Sequence, residues 1–193
     1  MKKTHIILAA MLMFSITGLK AQFKYGPRMS IGSSNLGEGN SLIGGQLGLI
    51  SNGELKDRFG VQGEVLFSVK TGYKNFESTN PVSGSTATYR TFYTFTYIDI
   101  PLYGYFPLCD HLTCLIGPQI GIVNKAKSRT TYGNVDVKED IIGAKAKAGI
   151  AAGIDINLKS SYKFGLRFST NGGDALGGKS TFVGLSLAYL LKW

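Results

Sequence analysis

The chain has 193 residues, with 21 Lys and Arg against 12 Asp and Glu, and its length suits a single domain. Its 26 glycines argue against a helical bundle, because each glycine inside a helix costs about 1 kcal/mol relative to alanine. With 44% hydrophobic and only 17% charged residues it is not a disordered chain, so the composition predicts one folded, sheet-rich domain.

The N-terminal segment, residues 1–21, is predicted to be a signal peptide. Lys2 and Lys3 precede an apolar run, and Ala21 supplies the small residue that signal peptidase prefers before its cut. The apolar run is shorter than the roughly 20 residues that a membrane-spanning helix needs. We therefore expect an exported protein whose mature domain covers residues 22–193.

No later segment is apolar enough to cross a membrane as a helix. The longest stretch without a charged side chain, residues 39–53, is interrupted by glycines and asparagines. An exported chain of this kind is either soluble or inserted into the outer membrane as a closed barrel, because only a barrel satisfies the backbone of strands in lipid.

Eight segments alternate apolar residues with small or polar ones, as strands do when one face meets lipid and the other a lumen. In chain order they are residues 23–32, 43–49, 59–70, 94–106, 112–124, 142–157, 162–169 and 183–193. Pro101 and Pro118 fall inside two of them and predict a bulge or an edge there, since proline cannot donate to a ladder. The pattern predicts an all-β fold, an eight-stranded antiparallel transmembrane β-barrel.

The predicted connections differ in length in a regular way. The longer ones are residues 33–41, 71–92, 125–139 and 170–178, and the shorter ones are residues 51–58, 107–111 and 157–161. Outer-membrane barrels combine long outer loops with short periplasmic turns. This sorting favours a barrel over a soluble sandwich, and it predicts a location in the cell outer membrane.

Several strand motifs resemble those of the PorT-like outer-membrane β-barrel family. The quoted motifs are VQGEVLFSVKTG at residues 61–72, YIDIPL at 97–102, Gly117-Pro118, and GLRFS at 165–169. Gly63 and Phe168 depart from the usual family residues. The resemblance implies an eight-stranded barrel in the outer membrane of a Gram-negative bacterium, and the family's namesake is linked to protein secretion.

The end of the printed sequence resembles the signal that the barrel assembly machinery reads. Trp193 follows Leu191 and Tyr189 on one face of the last predicted strand. An alternative interpretation is an ordinary aromatic residue at the membrane interface, and both can hold together.

Candidate catalytic chemistry is scarce. Beyond the signal peptide the one histidine is His111, in the predicted short turn, whereas barrel enzymes place their histidine near the outer rim. We therefore expect no enzyme, no catalytic or metal site and no cofactor. Cys109 and Cys114 flank the turn, and we expect either a disulfide in the oxidising periplasm or free structural thiols.

Charged residues concentrate on the predicted inward faces. Together with two glutamines on the same faces, the inward polar residues are Lys24, Arg28, Gln62, Glu64, Lys70, Asp99, Gln119, Lys145, Lys147, Asp155, Lys163 and Arg167. Because side chains fill an eight-stranded barrel, we expect ion pairs instead of a pore, with Glu64, Asp99, Arg28 and Arg167 as the central cluster.

These observations favour a non-enzymatic integral outer-membrane barrel with a structural, adhesion or secretion-associated role. A narrow passive channel or transport accessory is the first alternative, and a soluble exported ligand-binding barrel is the second. Expected partners are outer-membrane lipid and lipopolysaccharide, the assembly machinery and other envelope proteins. Lys125, Lys127 and Arg129 either meet lipopolysaccharide phosphate or form a solvated face. No basic cluster is interleaved with aromatics in the way nucleic-acid binding requires.

Overall fold

The computed structural model describes residues 23–37, 39–54, 59–79, 86–132, 135–140, 146–158, 161–172 and 179–191. The predicted signal peptide and Trp193 lie outside the described residues. Within the described ranges, none of the chain forms a helix of the length and apolarity needed to cross a membrane.

The described chain is organised as nine β-strands in sequence order. They are β1 (Phe23–Leu36), β2 (Asn40–Glu54), β3 (Gly60–Thr79), β4 (Thr86–Cys109), β5 (Leu112–Tyr132), β6 (Val135–Asp140), β7 (Ala146–Asn157), β8 (Tyr162–Asn171) and β9 (Ser180–Tyr189).

The strands form one antiparallel sheet that closes on itself. The order is β4-β3-β2-β1-β9-β8-β7-β5, and β4 also pairs with β5, which completes the ring. β6 and β7 pair with different lengths of β5, β6 with residues 127–132 and β7 with residues 112–122, so together they occupy one position. The ring therefore has eight positions, and the predicted eight-stranded antiparallel barrel is confirmed.

The outer face of the barrel is apolar and exposed. Ile43 is 74% exposed and Ile31 is 65% exposed, although both lie within strands. The side chains that alternate with the exposed ones along each strand, such as Arg28 and Gln46, are buried in the interior. A soluble barrel has the reverse arrangement, so this surface excludes the soluble ligand-binding alternative and matches a lipid-facing band.

Two of the predicted outer connections are mostly strand. β3 continues to Thr79 and β4 begins at Thr86, so much of the expected loop 71–92 is a hairpin. β5 and β6 likewise occupy most of residues 125–139. The apolar alternation ends here, but threonine and aromatic residues have high β propensity, and pairing with a neighbour maintains the strands beyond the apolar band.

The strand register does not change at Pro101 or at Pro118. This corrects the expectation of a bulge at these two prolines. Pro101 pairs with Gln119 and Pro118 pairs with Ile150, and the pairing continues in the same register on both sides. The register of β4 against β5 shifts instead between Thr96 and Tyr97 and between Pro107 and Cys109. Neighbouring ladder bonds keep the strands aligned where a proline removes one donor.

Candidate functional site

The barrel interior contains a buried ion pair between β1 and β3. Arg28 Nη1 donates a hydrogen bond to Glu64 Oε1, and the two side chains are 1% and 0% exposed. Gln62 Nε2 donates to the same oxygen at 2.6 Å. A charged hydrogen bond of this kind offsets part of the cost of removing both ions from water.

A second ion pair lies between β7 and β8. Arg167 makes a two-pronged contact with Asp155, with Nη1–Oδ1 at 2.5 Å and Nη2–Oδ2 at 2.7 Å. Its Nη2 also lies 4.0 Å from Glu64 Oε1, which joins the two pairs into one cluster. Gly165 makes room for this contact, because a Cβ atom there would lie 2.1 Å from Asp155 Oδ1.

The third ion pair involves Asp99 and is separate. Its Oδ2 lies 3.2 Å from Lys70 Nζ, while Asn171 Nδ2 donates to its Oδ1 at 3.1 Å and Gln119 Nε2 at 3.4 Å. Gly121 leaves space for these amides, because a Cβ atom there would meet Asn171 Nδ2 at 2.3 Å. The whole network is buried.

The predicted central cluster is therefore only partly reproduced. Arg28, Glu64 and Arg167 come together, but Asp99 pairs with Lys70 and not with an arginine. In register with β3, Asp99 lies opposite Leu66, and the long stem of Lys70 reaches it from further along the same strand. Sequence reasoning placed Asp155 on the inner face but missed it as the main partner of Arg167.

The other predicted inward side chains vary in burial. Lys163 is buried, with Nζ 3.5 Å from Gln62 Oε1 and 5.7 Å from the centre of the Tyr105 ring. Lys24 lies at the rim, 26% exposed, and pairs with Glu54 at 3.2 Å. Lys147 is half-buried, and Lys145 lies outside the described residues.

An apolar cluster fills the interior on the side of the long hairpins. Phe95 and Tyr97 stack with ring centres 6.1 Å apart and are 0% and 1% exposed. Leu36, Val123 and Ala126 complete this cluster. It lies beyond Asp99 along β4, so it covers the polar network from the outer side.

The cysteines do not face each other across the turn. Cys114 pairs with Phe106 and Cys109 with Leu112, because the register shifts between Pro107 and Cys109. Both thiols are free in the structure, and the strand register does not place the two cysteines opposite each other. His111 is exposed in the same turn.

The remaining sequence-predicted positions lie at the same end of the barrel as the β4–β5 turn. The Tyr189 ring packs against Tyr162 with centres 4.9 Å apart, and Leu191 forms a bridge with Tyr25 of β1. No set of three or more His, Cys, Asp or Glu side chains is arranged to hold a metal ion within the part of the chain that the structure describes.

Solved structures of other proteins are similar to this chain in fold. Neisserial surface protein A resembles the chain at 9% identity and a TM-score of 0.50, over 87% of this chain and 96% of that one. Ail of Yersinia pestis in complex with the heparin analogue sucrose octasulfate gives 13% identity and a TM-score of 0.48, over 90% and 100%. The search of curated proteins finds no match.

The family comparison covers most of the chain. Residues 7–173 match the family described as outer membrane protein beta-barrel domain. The closed antiparallel ring, the exposed apolar face and the polar interior are what such a family requires. The chain belongs to the outer membrane protein beta-barrel domain family and is an integral outer-membrane β-barrel.

Proposed function

We propose that this protein is a closed, non-enzymatic barrel that serves the outer membrane as a structural, adhesion or secretion-associated component. The observation that carries the proposal is the filled interior. Three buried ion pairs occupy its middle, and the cluster around Phe95 and Tyr97 covers them on the outer side. Function would then reside on the outer surface and the long hairpins.

A passive channel fits this interior less well. An ion moving along the axis would have to displace Phe95 and Leu36, which are 0% and 2% exposed, and to pass between paired charges. Eight-stranded barrels are just wide enough for side chains to fill, whereas aqueous channels occur in much larger ones. At the inner end, Ile50, Ala188 and Leu190 form a further apolar cluster.

Single-channel recording in planar bilayers tests the proposal. We expect the wild-type barrel to give no steady open conductance, under conditions in which a general porin inserted as a control conducts. A steady conductance whose ion selectivity changes in Glu64→Gln would show that the protein is a channel.

The position of His111 supports a role without catalysis. It is exposed in the β4–β5 turn, at the end of the barrel opposite the long hairpins. The interior acids Glu64, Asp99 and Asp155 each contact a cation, so none is poised as a free general base. Incubating purified protein with lipopolysaccharide, phospholipid and a casein substrate should leave all three unchanged, and turnover of any of them would refute this part.

A secretion-associated role is the narrowest form of the proposal, and it is supported by the resemblance to the PorT-like family. The segment 61–72 and Pro101 belong to the strand motifs that carry the resemblance. We further propose removal of residues 1–21 on export and insertion by the barrel assembly machinery. Crosslinking of the native protein in outer membranes, followed by mass spectrometry, tests these partners. Recovery of secretion components would support the narrow form, and recovery of assembly components alone would contradict it.

A further inference from the structure

A β-bulge on β5 reverses the direction of three basic side chains. Thr96 pairs with Lys125 and Tyr97 pairs with Val123, so Asn124 is an extra residue without a partner on β4. Before the bulge the odd-numbered residues of β5 point inward, as buried Gln119 shows. After it the even-numbered Ala126 is buried, and the odd-numbered Lys125, Lys127 and Arg129 are exposed. Bulges at barrel rims re-aim side chains in this way.

The three basic residues, here called the basic column, stand directly above the apolar band. Ile98 pairs with Ile122 in the last apolar row of this part of the outer face. Lys125, Lys127 and Arg129 occupy the next rows and pair with Thr96, Thr94 and Phe92. Successive rows are separated by roughly 7 Å along the strand. The column therefore spans the depth at which lipid head groups meet the barrel.

Polar and aromatic groups flank the basic column on the same face. Tyr73 and Phe92 pack with ring centres 5.9 Å apart, and Arg90 lies 4.8 Å from the centre of the Tyr73 ring. On the other flank, β6 pairs Asp140 with Lys127, Lys138 with Arg129 and Asp136 with Thr131, so it sets one net negative charge against the three positive charges of the column. The face thus remains basic at its lower edge, where Lys125 lies.

We propose that the basic column binds the phosphate groups of lipopolysaccharide in the outer leaflet, while the acyl chains cover the apolar band below. Lys and Arg side chains near an anionic lipid surface are attracted to its phosphate groups. The inference rests on the long-hairpin end facing outward, as in other outer-membrane barrels. A column that pointed into the interior could not make this contact, which gives the bulge at Asn124 a function.

Native mass spectrometry of the folded barrel tests the proposal. The protein is reconstituted with bisphosphorylated lipid A, with dephosphorylated lipid A, or with phosphatidylglycerol. Detergent then removes the lipid that is not bound to the protein. We expect wild-type protein to retain bisphosphorylated lipid A at least roughly tenfold more than either other lipid. Lys125→Gln/Lys127→Gln should lose that difference. The matched control is Lys24→Gln/Lys179→Gln, which removes the same charge away from the column and should behave as wild type.

The alternatives are distinguishable outcomes. Equal retention of all three lipids by the wild type would overturn the proposal without the use of any variant. Equal losses in the test and control variants would show a net-charge effect only, and retention of phosphatidylglycerol at the level of lipid A would identify the wrong lipid. Heat-modifiability on gels establishes that each variant is folded. None of these outcomes depends on whether the interior conducts ions. The proposed function is therefore tested independently of the lipid-binding proposal.

Discussion

The guanidinium of Arg28 on β1 meets the carboxylate of Glu64 on β3 inside the barrel, across the intervening strand β2 and 36 residues apart in the sequence. Arg167 reaches the same carboxylate from the opposite wall at 4.0 Å. Ion pairs in the interior thus connect strands that do not pair with each other in the sheet.

Removing one member of the Arg28–Glu64 pair should destabilise the barrel strongly. Arg28→Met leaves a buried carboxylate with fewer donors, and Glu64→Gln leaves two arginines without their shared acid, so each change should cost about 3–5 kcal/mol. The double variant should cost less than the sum of the two. Urea unfolding in lipid vesicles measures these free energies. Lys24→Met/Glu54→Gln at the exposed rim is the control, with an expected cost below about 1 kcal/mol. If the interior variants lose little unfolding free energy, and the losses are additive, the interior is not dry.

Gly165 should be intolerant of any side chain. A Cβ atom would lie 2.1 Å from Asp155 Oδ1, so Gly165→Ala should force the Arg167–Asp155 contact apart and cost about 2 kcal/mol or more of unfolding free energy. Gly45→Ala is the matched control, because the nearest atom to its added Cβ is Ser30 O at 3.7 Å. The same urea titration compares the two. A similar small effect of both substitutions would show that the interior has more space than the structure gives it.

The apolar cluster should contribute to stability through packing. Phe95→Ala removes a fully buried ring that stacks on Tyr97, and we expect a loss of about 3–5 kcal/mol from the transfer and cavity costs together. Phe92→Ala removes the same side chain from the partly exposed outer face of the same strand and should cost much less. Thermal unfolding followed by circular dichroism measures both, and equal shifts in Tm would argue against the cluster.

Both cysteines should be reduced in the native protein. Cys109 is exposed and Cys114 is half-buried, and the strand register pairs each with a different residue. Maleimide labelling of protein unfolded without reductant should therefore add two labels by intact mass. In the folded state Cys109 should react faster than Cys114. A mass lacking both labels, restored by reductant, would establish the disulfide that the turn sequence first suggested.

Sequence alternation alone determined which face of each strand is apolar, and hence the barrel and its polar interior. A period of two residues is a local property, so Ile43 and Arg28 could be assigned to opposite faces without knowledge of any partner. Only the tertiary structure decided which charges meet. Asp155 with Arg167 and Lys70 with Asp99 depend on the stagger of the strands, which follows from ring closure. The bulge at Asn124 likewise depends on β4 pairing with β5 on both sides of it, because one extra residue changes the facing of every side chain that follows.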